Sequence, residues 1–332
     1  MKLELARRAL VPSSIWDVLL KDATNSFLET EGHASNHTFR ARVEAFKQLL
    51  DFLGEETLLC DVTSRDLTDF VDYLGRSGKS RATIAQRMHL IKKMFRTIQE
   101  NIPGYLSPAR TVKVAKVTYS EPRKIATEEL RTFLAHVRGS DCAKYEDLRL
   151  RGVVEVLYAI GLRIGEVLSL KLGQVSPTAD AFLDVRVKSG KIVIKEIPNA
   201  LRPILLELVE RHSSYLRKYC NSFGMPYPTN VEEYPLFLSS TAAQRNRAET
   251  WELDQKSLRR QLARALKAAN VSHHTPHQYR HTLAYDLVDS GTPLSLVSQL
   301  LNHSNVNTTM RYVTADREAK RDALNRRLED VA

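Results

Sequence analysis

The chain has 332 residues, of which 43% are hydrophobic and 27% charged. That is enough chain for two ordinary folded domains, and it excludes intrinsic disorder, collagen and a disulfide scaffold. Lys+Arg (49) outnumber Asp+Glu (39), for a net charge of +10, so a polyanionic partner is expected.

Cys60, Cys142 and Cys220 are odd in number and form no CxxC pair, which points to a reducing compartment rather than a zinc ribbon. No apolar run approaches the roughly 20 residues of a membrane span. Residues 1–20 lack the apolar core and cleavage site of a signal peptide. The expected location is the cytoplasm, at the nucleoid. Between Arg76 and Lys124 lie twelve Lys/Arg against Glu100 and Glu121, an excess of ten that equals the net charge of the whole chain. Such a segment is either a DNA-facing element or a solvated helix face with a basic linker.

In chain order, Phe39, Val43, Phe46, Leu50 and Leu53, with Leu49 beside them, predict a helix over 38–53. A second helix is predicted over 64–74, with Ser64 as N-cap. A third runs over 80–100. There Ile84, Met88, Ile91, Phe95 and Ile98 form one packed face, Lys93 and Arg96 fall on the other, and Ser80 is the N-cap. Residues 1–110 thus read as a compact helical bundle with one basic helix, a DNA-binding domain if that basic face meets DNA. Its candidate contacts are Arg81, Arg87, Lys92, Lys93 and Arg96, followed by Lys113 and Lys116. Residues 101–122 carry three prolines and a glycine without helical period; the basic linker is placed at 111–122.

The second domain, 123–332, opens with a helix over 126–137 capped by Thr127 and an apolar helix over 148–160. FLDVRV (182–187) alternates, KIVIKEI (191–197) is β-branched, and Lys188-Ser189-Gly190 between them signals a turn, so a β-hairpin is expected. Helix prevails from Leu201 on, with an irregular stretch at 223–233. The fold class is mainly α with a small antiparallel β-sheet.

The chemistry concentrates in residues 275–313. With Thr275 as N-cap and Pro276 in the first turn, His277, Arg280 and His281 share a helix face. Histidines four apart allow a zinc reading. An arginine between them, no nearby cysteine and Asp286 and Asp289 out of register favour a phosphate clamp instead, and no metal is expected. Upstream, Arg163 follows a Gly-Leu break in apolar sequence with Glu166 three residues on, either an intra-helix ion pair or a functional pair. Residues 75–80 (GRSGKS) lack P-loop spacing.

Together these pieces closely resemble the tyrosine recombinase (phage integrase) family, of the Xer and integrase type. AIGLRIGEVLSL resembles its first arginine box, TPHQYRHTLA its H-x-x-R box, and LLNHSNVNTTMRY its final box, with the tyrosine nine residues after the histidine. VRVKSGK resembles the hairpin-lysine segment. SNHTFRARVEAFKQLLDFL with the basic helix resembles the helical DNA-clamping domain. The resemblance spans about residues 35–313.

It implies a two-domain C-shaped clamp, a helical core-binding domain followed by an α+β catalytic domain. By resemblance Tyr312 is the nucleophile, Arg163, Arg280 and His303 hold the scissile phosphate, and His277 is the base or proton relay. Lys188 is the general acid, with Lys191 its rival. Glu166 supports Arg163, and His281 orients its helix. Asn302 stands where the family usually has glycine; asparagine tolerates the left-handed backbone. An insertion is placed near 215–250. No cofactor is implied. The implied partner is double-stranded DNA with inverted half-sites, bound by a homotetramer whose charged C-terminal helix docks in trans, with accessory proteins possible. The activity implied is site-specific recombination through a Holliday junction, on a mobile element or a chromosome. Three rivals are a type IB-like topoisomerase, a binding-only relative and a metallohydrolase.

Overall fold

The computed structural model describes residues 12–30, 36–115, 117, 123–140, 144–222, 224–239, 251–302 and 309–310. The chain divides into two compact units, 1–120 and 121–332. The described residues are mainly helical with one two-stranded antiparallel sheet, the expected fold class. No helix among them is long and apolar enough to cross a membrane.

In the first unit, α1 (Leu20–Thr30), α2 (Asn36–Leu53), α3 (Ser64–Arg76) and α4 (Arg81–Asn101) enclose Phe27, Phe46, Leu49, Phe70, Met88, Ile91 and Phe95, all fully buried or nearly so. The α4 face follows the sequence stripe, and Ser80 Oγ accepts from Thr83 N at 3.2 Å. The stripe on α2 is used only in part. Phe27 meets Phe46 edge-on, 5.8 Å between centroids, so packing centres on Phe46 and Leu49. Phe39 and Val43, earlier on the stripe, stay exposed. The cap of α3 is Thr63 rather than Ser64. Thr63 Oγ1 accepts from Asp66 N at 3.2 Å while Thr63 N donates to Asp66 Oδ2 at 2.8 Å, a reciprocal box that serine at 64 cannot form with the helix starting there.

Residues 101–115 differ from the free linker expected of their prolines. Tyr105, Ala109 and Val112 are buried in the first core. Ser64 Oγ donates to Pro108 O at 2.7 Å and Lys92 Nζ to Val112 O at 2.6 Å. Three apolar anchors and two hydrogen bonds hold this stretch on α3 and α4.

In the second unit, α6 (Tyr145–Ala159) is buried on most of its faces, Arg149 and Glu155 included, and forms the centre. Around it lie α5 (Thr127–Gly139), α8 (Arg202–Ser222), α9 (Gln255–Ala268) and α10 (Pro276–Asp289). A Cβ at Gly152 would lie 2.4 Å from Leu208 Cδ1, so glycine sets the close approach of α6 and α8. The N-cap of α5 is Ala126, with Thr127 already helical. Short α7 (Ile164–Leu168) precedes the hairpin of β1 (Ala181–Arg186) and β2 (Ile192–Glu196), and α11 (Leu294–Leu300) follows α10. In the hairpin Arg186 faces Ile192 and Ala181 faces Glu196, with a bulge between Phe182 and Val185. The stretch read as an insertion contributes to the core at both ends of its described part. Tyr215 stacks on Tyr145 at 3.9 Å, and Leu236, Phe237 and Leu238 are buried.

Candidate active site

The site is built on a backbone break. Between α6 and α7 the chain turns at Gly161, φ +69°. A Cβ there would lie 2.7 Å from Leu283 Cδ2 and 2.9 Å from Leu301 Cδ2, so both the conformation and the space call for glycine. The turn delivers Arg163 as the N-cap of α7. Glu166, buried one turn on, accepts from Arg163 N at 2.8 Å through Oε2. Through Oε1 it accepts from Arg163 Nη1 at 3.0 Å and from Lys188 N at 3.1 Å. Of the two readings of the Arg163–Glu166 pair, the ion pair is present, with Arg163 at the N-cap rather than inside the helix. The ion pair aims the guanidinium, and the same carboxylate ties down the start of the hairpin turn.

The second support is α10. Thr275 N donates to Gln278 Oε1 at 2.8 Å, and Pro276 starts the helix, as its sequence predicts. Arg280 is buried; its Nη1 donates to Gly161 O and its Nη2 to Leu301 O. It therefore joins the α6–α7 break to the exit of α11. His277 stands exposed at the start of α10, and His281 is half-buried. Desolvation holds His277 below the ordinary imidazole range, and the fields of Arg280, Arg259, Arg163 and Lys188 push the same way. Its neutral form is thereby favoured over the imidazolium. The groups acting on it are cations rather than metal-ligating carboxylates or thiolates, and no cluster of three His, Cys, Asp or Glu suited to a metal occurs among the described residues.

Lys188 sits exposed on the first limb of the turn, closed by Gly190 at φ +81°. Lys191 stands on the other limb, where its carbonyl accepts from Val187 N at 2.9 Å. The bond from its backbone N–H to Glu166 and its field at His277 associate Lys188 with the site. Asn302 has φ +48°, the left-handed backbone its place in the final box requires. His303 and Tyr312 lie outside the described residues, as do Lys116 and the C-terminal tail.

Two residues escape the sequence reading. Arg259 lies on α9, where Leu258, Leu262 and Leu266 are buried and Lys256, Arg259, Arg260, Arg264 and Lys267 are exposed, with no acid in the helix. That amphipathic pattern was available as a signal. Lys195 is the other. It falls in register with Val193 and Ile197 on the inward face of β2, and alternation alone would have placed a lysine inside.

Of the candidate DNA contacts in the first unit, Arg81, Lys93, Arg96 and Lys113 are exposed and Arg87 is half-buried. Lys93 Nζ also lies 5.9 Å from the Phe27 ring centroid. Lys92 is half-buried with its ammonium on Val112 O.

Arg163, Arg280, the turn lysine Lys188 and His277 are linked electrostatically, since the first three all act on the histidine. The chain belongs to the phage integrase family. The model of that family matches residues 123–319, and the model of the phage integrase N-terminal SAM-like domain matches residues 25–100. Tyrosine recombinase XerD of Caulobacter vibrioides is 26% identical over 294 residues, 88% of this chain and 90% of the relative. Tyrosine recombinase XerC of Corynebacterium efficiens is 28% identical over 259 residues, 76% of this chain and 74% of the relative. Among solved structures, the Tn1549 transposon integrase in complex with circular intermediate DNA matches with TM-score 0.70 at 17% identity, over 91% of this chain and 98% of that one. XerH bound to palindromic difH matches with TM-score 0.66 at 19% identity, over 91% and 83%. At these identities the structures show the shared fold.

Proposed function

We propose that this protein is a site-specific recombinase that cleaves and rejoins double-stranded DNA through a phosphotyrosyl intermediate. The observation that carries the reading is that one buried carboxylate, Glu166, accepts from both Arg163 and the backbone of Lys188, while the charges of Arg280, Arg163 and Lys188 all act on His277. In this reading Tyr312 Oη attacks the scissile phosphorus and the bond from phosphorus to the 5′-oxygen breaks. A 3′-phosphotyrosyl link and a 5′-hydroxyl result. A free tyrosine has a pKa of about 10, so it needs a base, and His277 takes its proton. Lys188 gives a proton to the leaving 5′-oxygen. Arg163 and Arg280 hold the non-bridging oxygens where charge builds up, with a further hydrogen bond from His303. Glu166 aims Arg163, and His281 sets the helix. Attack by the 5′-hydroxyl of another strand reverses the step. The phosphodiester energy is kept in the covalent link, and neither ATP nor a metal enters the scheme.

The relatives carry the name tyrosine recombinase, and structural neighbours are bound to circular intermediate DNA and to difH. They support a duplex substrate with inverted half-sites. The basic faces of α4 and α9 would lie on its phosphates. Strand exchange through a Holliday junction calls for four protomers, with the 317–332 tail docking on a neighbour and accessory proteins entering as the site demands. The work is done in the cytoplasm, at the DNA. The test is a supercoiled plasmid carrying two selected sites, incubated in EDTA. Deletion or inversion between the sites is expected. Relaxation without exchange would make the protein a topoisomerase, loss of activity in EDTA a metallohydrolase, and tight binding with no change in the DNA a binding protein.

A further inference from the structure

Strand β2 has an inverted polarity. Ile192 and Ile194 are 59% and 62% exposed while Lys195 is 6% exposed. An ammonium taken out of water costs several kcal/mol unless it is paired and hydrogen-bonded, so what this one holds is informative. Lys195 Nζ donates to Leu300 O. With the Asn302 amide oriented to match its neighbours, Nζ also donates to Asn302 Oδ1 at 2.6 Å, and Asn302 Nδ2 donates to Gln299 O at 3.2 Å. The residue between, Leu301, gives its carbonyl to Arg280 Nη2. Three successive residues at the exit of α11 are thus gripped by two cations, one from the hairpin and one from α10. Asn302, the last of them, carries the left-handed φ of +48° that turns the chain out of the helix. His303 is the next residue.

We propose that Lys195 is a positioning residue for strand cleavage: it locks the exit of α11 to the hairpin and so sets the backbone from which the chain continues into His303 and Tyr312. The proposal rests on the roles given to those two residues above. It makes the hairpin a part with two functions, Lys188 at its turn for proton transfer and Lys195 on its inward face for alignment. The charged groups acting on Lys195 are Arg280 from α10, Arg163 at the start of α7 and Glu166 within α7. Burial and the two arginines bring its pKa down to about 8, with Glu166 opposing. The charged donor, the stronger one, is present below that value and lost above it.

The experiment is single-turnover cleavage of a nicked substrate by the full chain, comparing wild type with Lys195→Met, Lys195→Arg and Lys188→Met. Lys195→Met is expected to cleave about ten- to a hundredfold more slowly, the loss typical of a misplaced reacting group. Its DNA affinity stays within twofold and its Tm within a few degrees. Lys195→Arg keeps a fixed cation, restores part of the rate and holds it from pH 7 to 9, where wild type declines. A substrate with sulfur in place of the bridging 5′-oxygen separates alignment from proton donation, because a thiolate leaves without a proton. It rescues Lys188→Met and leaves Lys195→Met slow. If Lys195→Met fails to fold, Lys195→Gln, a neutral donor to the Leu300 carbonyl, is read in the same assay and is expected between the two. A Lys195 variant that cleaves like wild type, or that the sulfur substrate rescues, overturns the proposal alone. A wild type that forms no adduct overturns the Tyr312 reading and this proposal with it.

Discussion

Glu166→Gln is the most informative single change in the site. The carboxylate has two acceptor oxygens and three donors: Arg163 N at 2.8 Å, Arg163 Nη1 at 3.0 Å and Lys188 N at 3.1 Å. Glutamine keeps the volume and one acceptor. If the amide oxygen takes the place of Oε1, two bonds survive, weakened by loss of the carboxylate charge, and the NH2 faces the Arg163 N–H, donor against donor. If it takes the place of Oε2, the clash falls on Nη1 and on Lys188 N. Either way at least one charge-assisted bond is lost, worth about 1.5–3 kcal/mol, and the aim of Arg163 is released. A loss of about 2–3 kcal/mol from the transition state is about 30- to 150-fold in rate. The assay is single-turnover cleavage of a nicked substrate, with DNA affinity and Tm measured alongside. The expected result is that fall in rate at nearly unchanged affinity. A Glu166→Gln protein that cleaves within threefold of wild type refutes the claim that this carboxylate aims Arg163. One that loses Tm but no rate reduces Glu166 to a structural role.

Gly161→Ala combines left-handed strain of about 1–2 kcal/mol with overpacking against Leu283 and Leu301 of about 1–3 kcal/mol. In a unit of this size Tm should fall by about 5–15 °C in a thermal melt. For His277 the sign is fixed by its depressed pKa. The neutral base form is kept as pH falls through the ordinary imidazole value of 6.5, so the acid limb of the cleavage rate lies below 6.5. Arg259→Ala removes one opposing cation and should move that limb upward. Arg96→Ala should lower the slope of log affinity against log salt by about 1. Lys92→Met should leave that slope unchanged and cost about 1–2 kcal/mol of stability in a denaturant titration, because its ammonium holds Val112 O.

What the sequence made legible depended on whether local chemistry decided the outcome. Thr275, Pro276 and the spacing of His277 and Arg280 placed α10, because caps and helical spacing are local properties. The Lys188–Gly190 turn was equally readable, and Asn302 adopts the left-handed backbone its place demands. Burial partners were not legible. The α2 stripe runs through Phe39 and Val43, yet only the part facing Phe27 packs. Residues 101–115 look like linker by their prolines, yet Tyr105, Ala109 and Val112 find a core provided by distant helices. Lys195 was read as part of a β-branched strand because its partners, Leu300 and Asn302, lie a hundred residues on. In each case the deciding contact is long-range.

The central claim is that Tyr312 is the nucleophile of a metal-independent cleavage. The direct measurement is covalent trapping on a selected site nicked next to the cleavage point, in EDTA, with wild type and Tyr312→Phe side by side. The account predicts an SDS-resistant protein–DNA adduct with wild type and none with Tyr312→Phe. An adduct from both proteins would move the nucleophile to another residue and contradict it.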